Sequence, residues 1–194
     1  GSVISGARVE DSTTYGNTQH GIYLYAQNGG SMSGPEVSGV TAHHNIQGIR
    51  FEATGAGSVL SGASLRDSES YGNVQSGLIL YASGGGAITA PDVSEVAVHN
   101  NSTQGITLWA TGAGSVLSGA SLRDSAVSAN ANSGLYLVAN TVGAFDAKIE
   151  TVTSTGNTQN GVYVNDDAAA AYTVDLGGGA LGSAGTNRVY GNTL

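Results

Sequence analysis

Cysteine is absent from this chain of 194 residues. Disulfides, thiolate metal sites and thiol catalysis are thereby excluded. Basic residues are few, six in all, and scattered along a chain of net charge −8. Nucleic acid needs a basic footprint, so it is excluded as a partner. Charged residues make up only 10% of the chain, well below the usual quarter. Disorder goes with high charge and low hydrophobicity, and here 40% of residues are apolar. No apolar run approaches the length of a membrane span. Proline is nearly missing, at two residues, whereas glycine is abundant at 31. That balance suits short strands joined by tight turns. The first residues do not read as a signal peptide. They already match an internal repeat, so the chain is expected to be one domain, 1–194, taken from something longer.

The repeat is conspicuous. TGAGSVLSGASLRDS occurs at Thr54–Ser68 and again at Thr111–Ser125, and GSVISGARVEDS at Gly1–Ser12 is a looser copy. A smaller unit lies beneath it. Nine-residue segments beginning with Val, Leu or Ile end on Asn17, Asn45, Asn73, Asn101, Asn130 and Asn157, at steps of 28, 28, 28, 29 and 27 residues. Asn192 in RVYGN is a seventh, after an insertion through DLGGGALGSAGTN. Fixed periods of this size signal a solenoid or an array. After each Asn comes a segment alternating at period two: GIYLYA, GIRFEA, GLILYA, GITLWA, GLYLVA, GVYVND. Such segments read as strands. No helical pattern fits between them, which argues against leucine-rich repeats, and a propeller blade needs about 40 residues. The remaining architecture is an all-β parallel β-helix solenoid of about seven coils. Each coil of about 28 residues is expected to hold roughly three strands and three turns.

The motif N-x-x-x-G-[IVL]-x-[ILV], in NTQHGIYL, NVQSGLIL, NSTQGITL, NANSGLYL and NTQNGVYV, carries a resemblance. It is similar to the right-handed parallel β-helix repeat family of bacterial surface and carbohydrate-active proteins, the pectate-lyase-like group. The resemblance implies a right-handed solenoid, extracellular or cell-surface location and polysaccharide or a cell-surface glycan as partner. It does not choose between enzymes and non-catalytic adhesins. The Asp-Pro-His motif of alginate epimerases is missing: Pro35 and Pro91 are followed by Glu36 and Asp92.

Stacked coils turn repeat positions into columns. The Asn column reads as a hydrogen-bonded ladder, and the glycines after it (Gly21, Gly48, Gly77, Gly105, Gly134, Gly161) as turn residues. Inward positions are Ile22/Leu24, Ile49/Phe51, Leu78/Leu80, Ile106/Leu108, Leu135/Leu137 and Val162/Val164. The outward set is Tyr23, Tyr25, Arg50, Glu52, Ile79, Tyr81, Thr107, Trp109, Tyr136, Val138, Tyr163 and Asn165. It holds six of the twelve aromatics. Tyr23, Tyr25, Arg50, Tyr81, Trp109, Tyr136 and Tyr163 are therefore the expected contact surface for a glycan or protein partner, against the plainer reading of cross-coil stacking. Tyr15, His43, Tyr71 and His99 form a second surface column.

Asp67, Glu95 and Asp124 lie one coil apart. They read as a solvated acidic edge, with a weak calcium site and catalytic carboxylates as alternatives. Arg66 and Arg123 are expected to point to the other side of a regular strand. No cysteine or histidine cluster suggests another metal. Catalysis needs an asymmetric cluster, and the best candidate is Arg50 with Glu52, with Tyr23 and Tyr25 below and Tyr81 above. The expected function is a non-enzymatic module for polysaccharide recognition, adhesion or spacing. The alternatives are a polysaccharide lyase, epimerase or hydrolase completed outside this chain, and self-association through the ends or the aromatic face.

Overall fold

A computed structural model describes residues 1–140, 143–167 and 171–193. The alternating segments form six strands, His20–Gln27, Gln47–Thr54, Leu78–Ser83, Ile106–Thr111, Leu135–Asn140 and Val162–Asp167. They build one parallel sheet in sequence order. Register follows the repeat: Leu78 opposes Ile106, and Tyr81 opposes Trp109. A second sheet of sixteen strands covers the remaining sides, also with parallel pairing between coils. The result is a parallel β-solenoid of about six turns. The seventh ladder residue, Asn192, follows the last strand of the second sheet, Arg188–Tyr190.

From Gln47–Thr54 onward each coil holds three strands, as expected, whereas the coil of His20–Gln27 holds four, because the span that matches the single strand Ser64–Tyr71 is split in two there. In the second coil Ser31–Ser33, Glu36–Ser38 and Thr41–His43 follow the long strand. The chain turns at one-residue corners in the left-handed backbone region. Gly6, Gly34, Gly62, Ala90 and Gly119 make one column, at φ from 49° to 63°. Asp11, Gly39, Asp67, Glu95, Asp124 and Thr151 make the next, at φ from 45° to 62°. The residue before each ladder Asn makes the third: Gly16, His44, Gly72, Asn100, Ala129, Gly156 and Gly191. A single residue suffices to bend the chain, so no loop marks the corner. Left-handed geometry costs an L-residue with a Cβ about 1–2 kcal/mol, which the greater unfolded freedom of glycine offsets in part. Ala129→Gly is therefore expected to stabilise the protein by about 0.5–1 kcal/mol in chemical denaturation.

The core is a set of apolar columns. Ile49, Leu78, Ile106 and Leu135 stack on one, and Phe51, Leu80, Leu108 and Leu137 on the next, all essentially buried. Met32, Leu60, Ile88, Leu117 and Phe145 face them from the second sheet. Val164, expected inside, is 43% exposed, because its strand is the edge of the six-stranded sheet and is covered on one side only. The 27-residue step is absorbed by a bulge between Leu117 and Ala120. The 29-residue step puts its extra residue between Thr111, opposite Ser83, and Val116, opposite Ala87.

The asparagine ladder is continuous. Nδ2 of Asn17, Asn45, Asn73, Asn101, Asn130 and Asn157 each donates to Oδ1 of the Asn in the next coil, at 2.8, 3.3, 2.9, 3.0, 2.9 and 2.9 Å. The same Oδ1 atoms accept the backbone N–H of the preceding ladder residue. Gly77, Gly105, Gly134 and Gly161 sit at bends and Gly21 and Gly48 within strands, but none of the six has the positive φ that would by itself call for glycine. They lack a Cβ because the next coil's ladder amide fills its place. A Cβ at Gly105 would lie 2.7 Å from Asn130 Nδ2 and 2.8 Å from Gly134 O, and against Val127 Cγ1.

The insertion before Arg188 wraps around one carboxylate. Asp175 Oδ1 accepts the backbone N–H groups of Gly177 and Gly179, both at 3.0 Å, and Oδ2 those of Leu181 and Ser183 at 3.0 and 3.1 Å. These bonds, led by Ser183, hold the Asp175 carboxyl below its ordinary value against the opposing effect of burial. A depressed folded value stabilises above the unfolded pKa of about 3.9 and loses that contribution as pH falls through the folded value. Amide exchange over Gly177–Gly185 is accordingly expected to accelerate at acid pH before the sheets open. Asp175→Asn turns two accepted bonds into donor–donor conflicts, and it is expected to accelerate that exchange at neutral pH.

Candidate functional site

The outward positions of the six-stranded sheet come in two columns. Tyr23, Arg50, Ile79, Thr107, Tyr136 and Tyr163 share one, and Tyr25, Glu52, Tyr81, Trp109, Val138 and Asn165 the other. Both face outward as alternation demands, but four members are covered. Glu52, Ile79, Thr107 and Val138 are 8% exposed or less, which corrects their reading as surface residues. Large neighbours on the same face lean over them. The aromatics therefore form three pairs rather than one stripe. Tyr23 stacks on Tyr25 at 5.0 Å, Tyr136 on Tyr163 at 5.0 Å, and Tyr81 tilts 54° against Trp109 at 5.1 Å.

The central pair borders a groove of about 330 Å³. Ile79 and Thr107 are buried beneath it, while Trp109 remains 37% exposed. Arg50 and Tyr136 also line it, one coil before the strand of Tyr81 and one coil after that of Trp109. Tyr23, Tyr25 and Tyr163 lie outside it. The other lining side chains are Gln47, Gln75, Ser76, Thr103 and Gln104, which none of the sequence expectations included. Their signal was present: a Gln two or three positions after a ladder Asn recurs at Gln19, Gln47, Gln75, Gln104 and Gln159. The amides are linked, with Gln47 Nε2 donating to Gln75 Oε1 at 2.7 Å and Ser76 Oγ donating to Gln104 Oε1 at 3.2 Å. From the coil of Arg50 to that of Tyr136 there are three inter-coil steps, or ~14 Å at the strand spacing.

One end of the groove is an ion-pair cluster. Arg50 Nε donates to Glu52 Oε2 at 2.6 Å, and Arg50 Nη1 to Gln47 Oε1 at 3.1 Å. The guanidinium lies 5.0 Å from the centre of the Tyr81 ring, within cation–π range. Tyr23 Oη and Thr54 Oγ1 also donate to Glu52, at 2.7 and 2.8 Å. Burial raises the Glu52 carboxyl, but the bonds from Arg50, Tyr23 and Thr54 outweigh it and hold the group below its ordinary value. Burial and then the bond to Glu52 push the Tyr23 hydroxyl well up. His20 joins the cluster, its ring 4.4 Å from that of Tyr23. Burial, and next the charge of Arg50, lower its pKa, so the ring is neutral near pH 7. Its Nδ1 is buried without a hydrogen-bond partner. Sequence reasoning joined Arg50 and Glu52 with Tyr23, Tyr25 and Tyr81 beside them; the structure adds His20, Thr54 and Gln47. Both carboxylate oxygens of Glu52 already accept bonds, so its present task is to fix Arg50 against Tyr81.

The acidic column sits elsewhere, along a broader, open groove of about 800 Å³ bordered by Asp67, Glu95, Asp124 and Thr151. It is a column of left-handed corners, and this changes the arginine geometry. A left-handed residue breaks strand alternation, so Arg66 reaches its neighbour Asp67 at 3.2 Å and Arg123 reaches Asp124 at 3.3 Å, contrary to the expectation that they point apart. Arg66 also pairs with Glu36, and Arg123 with Asp92 at 3.1 Å. Glu95 shares a hydrogen bond with Asp67, which raises its carboxyl pKa. Among the described residues no group of three or more His, Cys, Asp or Glu side chains could hold a metal ion. The arginine partners of Asp67 and Asp124 thus offset part of the repulsion along the column.

Tyr15, His43, Tyr71 and His99 stack as the sequence implied, with centroids 5.0–5.3 Å apart and nearly parallel planes. No helix of the described residues is long and apolar enough to cross a membrane. Comparison with protein-family models, curated proteins and solved structures yields no match to this chain.

Proposed function

We propose that the protein is a non-catalytic polysaccharide-binding module, acting outside the cell or at its surface, with the Tyr81–Trp109 groove as its contact surface. One observation carries this reading: the exposed Trp109 and half-buried Tyr81 border, with a row of three side-chain amides, a groove that spans four coils. Aromatic faces cover the apolar faces of pyranose rings, and amides and hydroxyls satisfy their equatorial hydroxyls. The buried Ile79 and Thr107 make the floor rigid, which lowers the ordering cost of binding. The resemblance to carbohydrate-active β-helices and the acidic, cysteine-free composition support the same assignment.

Trp109→Ala and Tyr81→Ala are each expected to weaken retention on immobilised polysaccharide by tenfold or more, equivalent to about 1.4 kcal/mol. Tyr163→Ala, outside the groove, should retain binding. Equal retention by all three variants would dismiss the groove.

A polysaccharide-modifying enzyme is the second reading. The observation favouring it is the convergence of His20, Tyr23, Arg50 and Glu52. Release of unsaturated uronate product, abolished by His20→Ala and Tyr23→Phe, would establish it over the binding module.

A further inference from the structure

We infer that the groove selects neutral, hydroxyl-rich glycan chains over uronate chains. This rests on the binding reading above and specifies its ligand. A uronate polymer carries one carboxylate per residue, and each must be matched by a cation or left in water. The groove holds one cation, Arg50, and its charge is already answered. Glu52 lies 2.6 Å away and is kept ionised by three donors. The other donors lining the groove are uncharged amides and hydroxyls, notably Gln75, Gln104 and Thr107. Elsewhere, Arg8, Arg66, Arg123 and Lys148 are engaged with carboxylates, and Arg188 lies on the second sheet. The approach is also unfavourable, since the net charge of −8 repels a polyanion.

A neutral chain meets none of these penalties. A linear hexopyranose chain advances per ring by nearly the distance between coils, so a chain laid parallel to the solenoid axis meets a side-chain amide, Gln47, Gln75 or Gln104, at three successive steps. The groove spans four coils, and affinity is expected to rise with oligosaccharide length up to about four rings at the strand spacing.

The test is calorimetric titration of the whole chain with neutral gluco- and manno-oligosaccharides, and with oligogalacturonate and oligomannuronate of matched length. Binding of a neutral series at least tenfold tighter than either uronate, and insensitive to salt, supports the inference. Preference for a uronate, with binding lost in Trp109→Ala, would overturn it while leaving the groove as a glycan site. No binding to either class would overturn both. A second measurement uses Glu52→Gln, which leaves Arg50 unanswered. The neutral-to-uronate ratio should fall by up to about fivefold, the effect of one partly exposed charge; an unchanged or larger ratio contradicts the charge argument.

Discussion

Asn101→Ala is expected to destabilise the protein by about 2–4 kcal/mol. Asn101 is 1% exposed. Its Oδ1 accepts both the backbone N–H and Nδ2 of Asn73, at 3.1 and 2.9 Å. Its Nδ2 donates to Asn130 Oδ1 and to the backbone carbonyls of Ser70 and His99. Truncation orphans the buried backbone N–H of Asn73, at a cost of about 1–3 kcal/mol, and removes the bonds that Asn101 Nδ2 donates, while Asn73 Nδ2 keeps Ser70 Oγ and the Ala42 carbonyl as acceptors. The ladder is also directional. Every Nδ2 points to the next coil, so the bonds polarise one another. Asn101→Asp should be worse than Ala. It keeps the shape but sets a buried charge against Asn130 Oδ1, without the donors that a carboxylate needs. Urea denaturation of the three proteins checks the order Asn, Ala, Asp. Equal stability of wild type and Ala would mean that the ladder is ornamental and the apolar columns alone hold the coils.

Gly105→Ala is the second large effect, at about 3 kcal/mol. Overpacking a filled core usually costs about 1–3 kcal/mol. This site belongs at the top of that range, because the obstructing atoms are a ladder amide, a backbone carbonyl and a buried Val127. Gly62→Ala is the informative comparison. Gly62 has φ of 60° and nothing within 4 Å of an added Cβ, so it should lose only the left-handed penalty of about 1–2 kcal/mol. Thermal melts of the two variants separate a demand for space from a demand for backbone freedom. Were Gly62→Ala the more damaging, the close approach at Gly105 would not be what excludes a side chain there.

The outward face shows where local reading ends. Alternation told correctly which way Glu52, Ile79, Thr107 and Val138 point, and incorrectly that they are exposed. Whether an outward residue is covered depends on side chains roughly 28 residues away, whose lean is not written in the local pattern. Gln47, Gln75 and Gln104 were overlooked for a related reason. They sit in the short segment between ladder and strand, which has no period-two signal of its own. The corners at Asp67, Glu95 and Asp124 left no glycine or proline to announce them.

The repeat by itself determined the solenoid, the step between coils, the ladder and the inward columns. All four follow from periodicity, and periodicity is a property of order along the chain. Only the tertiary structure decided that the aromatics divide into pairs, that one pair borders a groove lined with amides, and that Arg50 is neutralised inside it. Those outcomes depend on distances between neighbouring coils, where a corner of one residue redirects every side chain that follows.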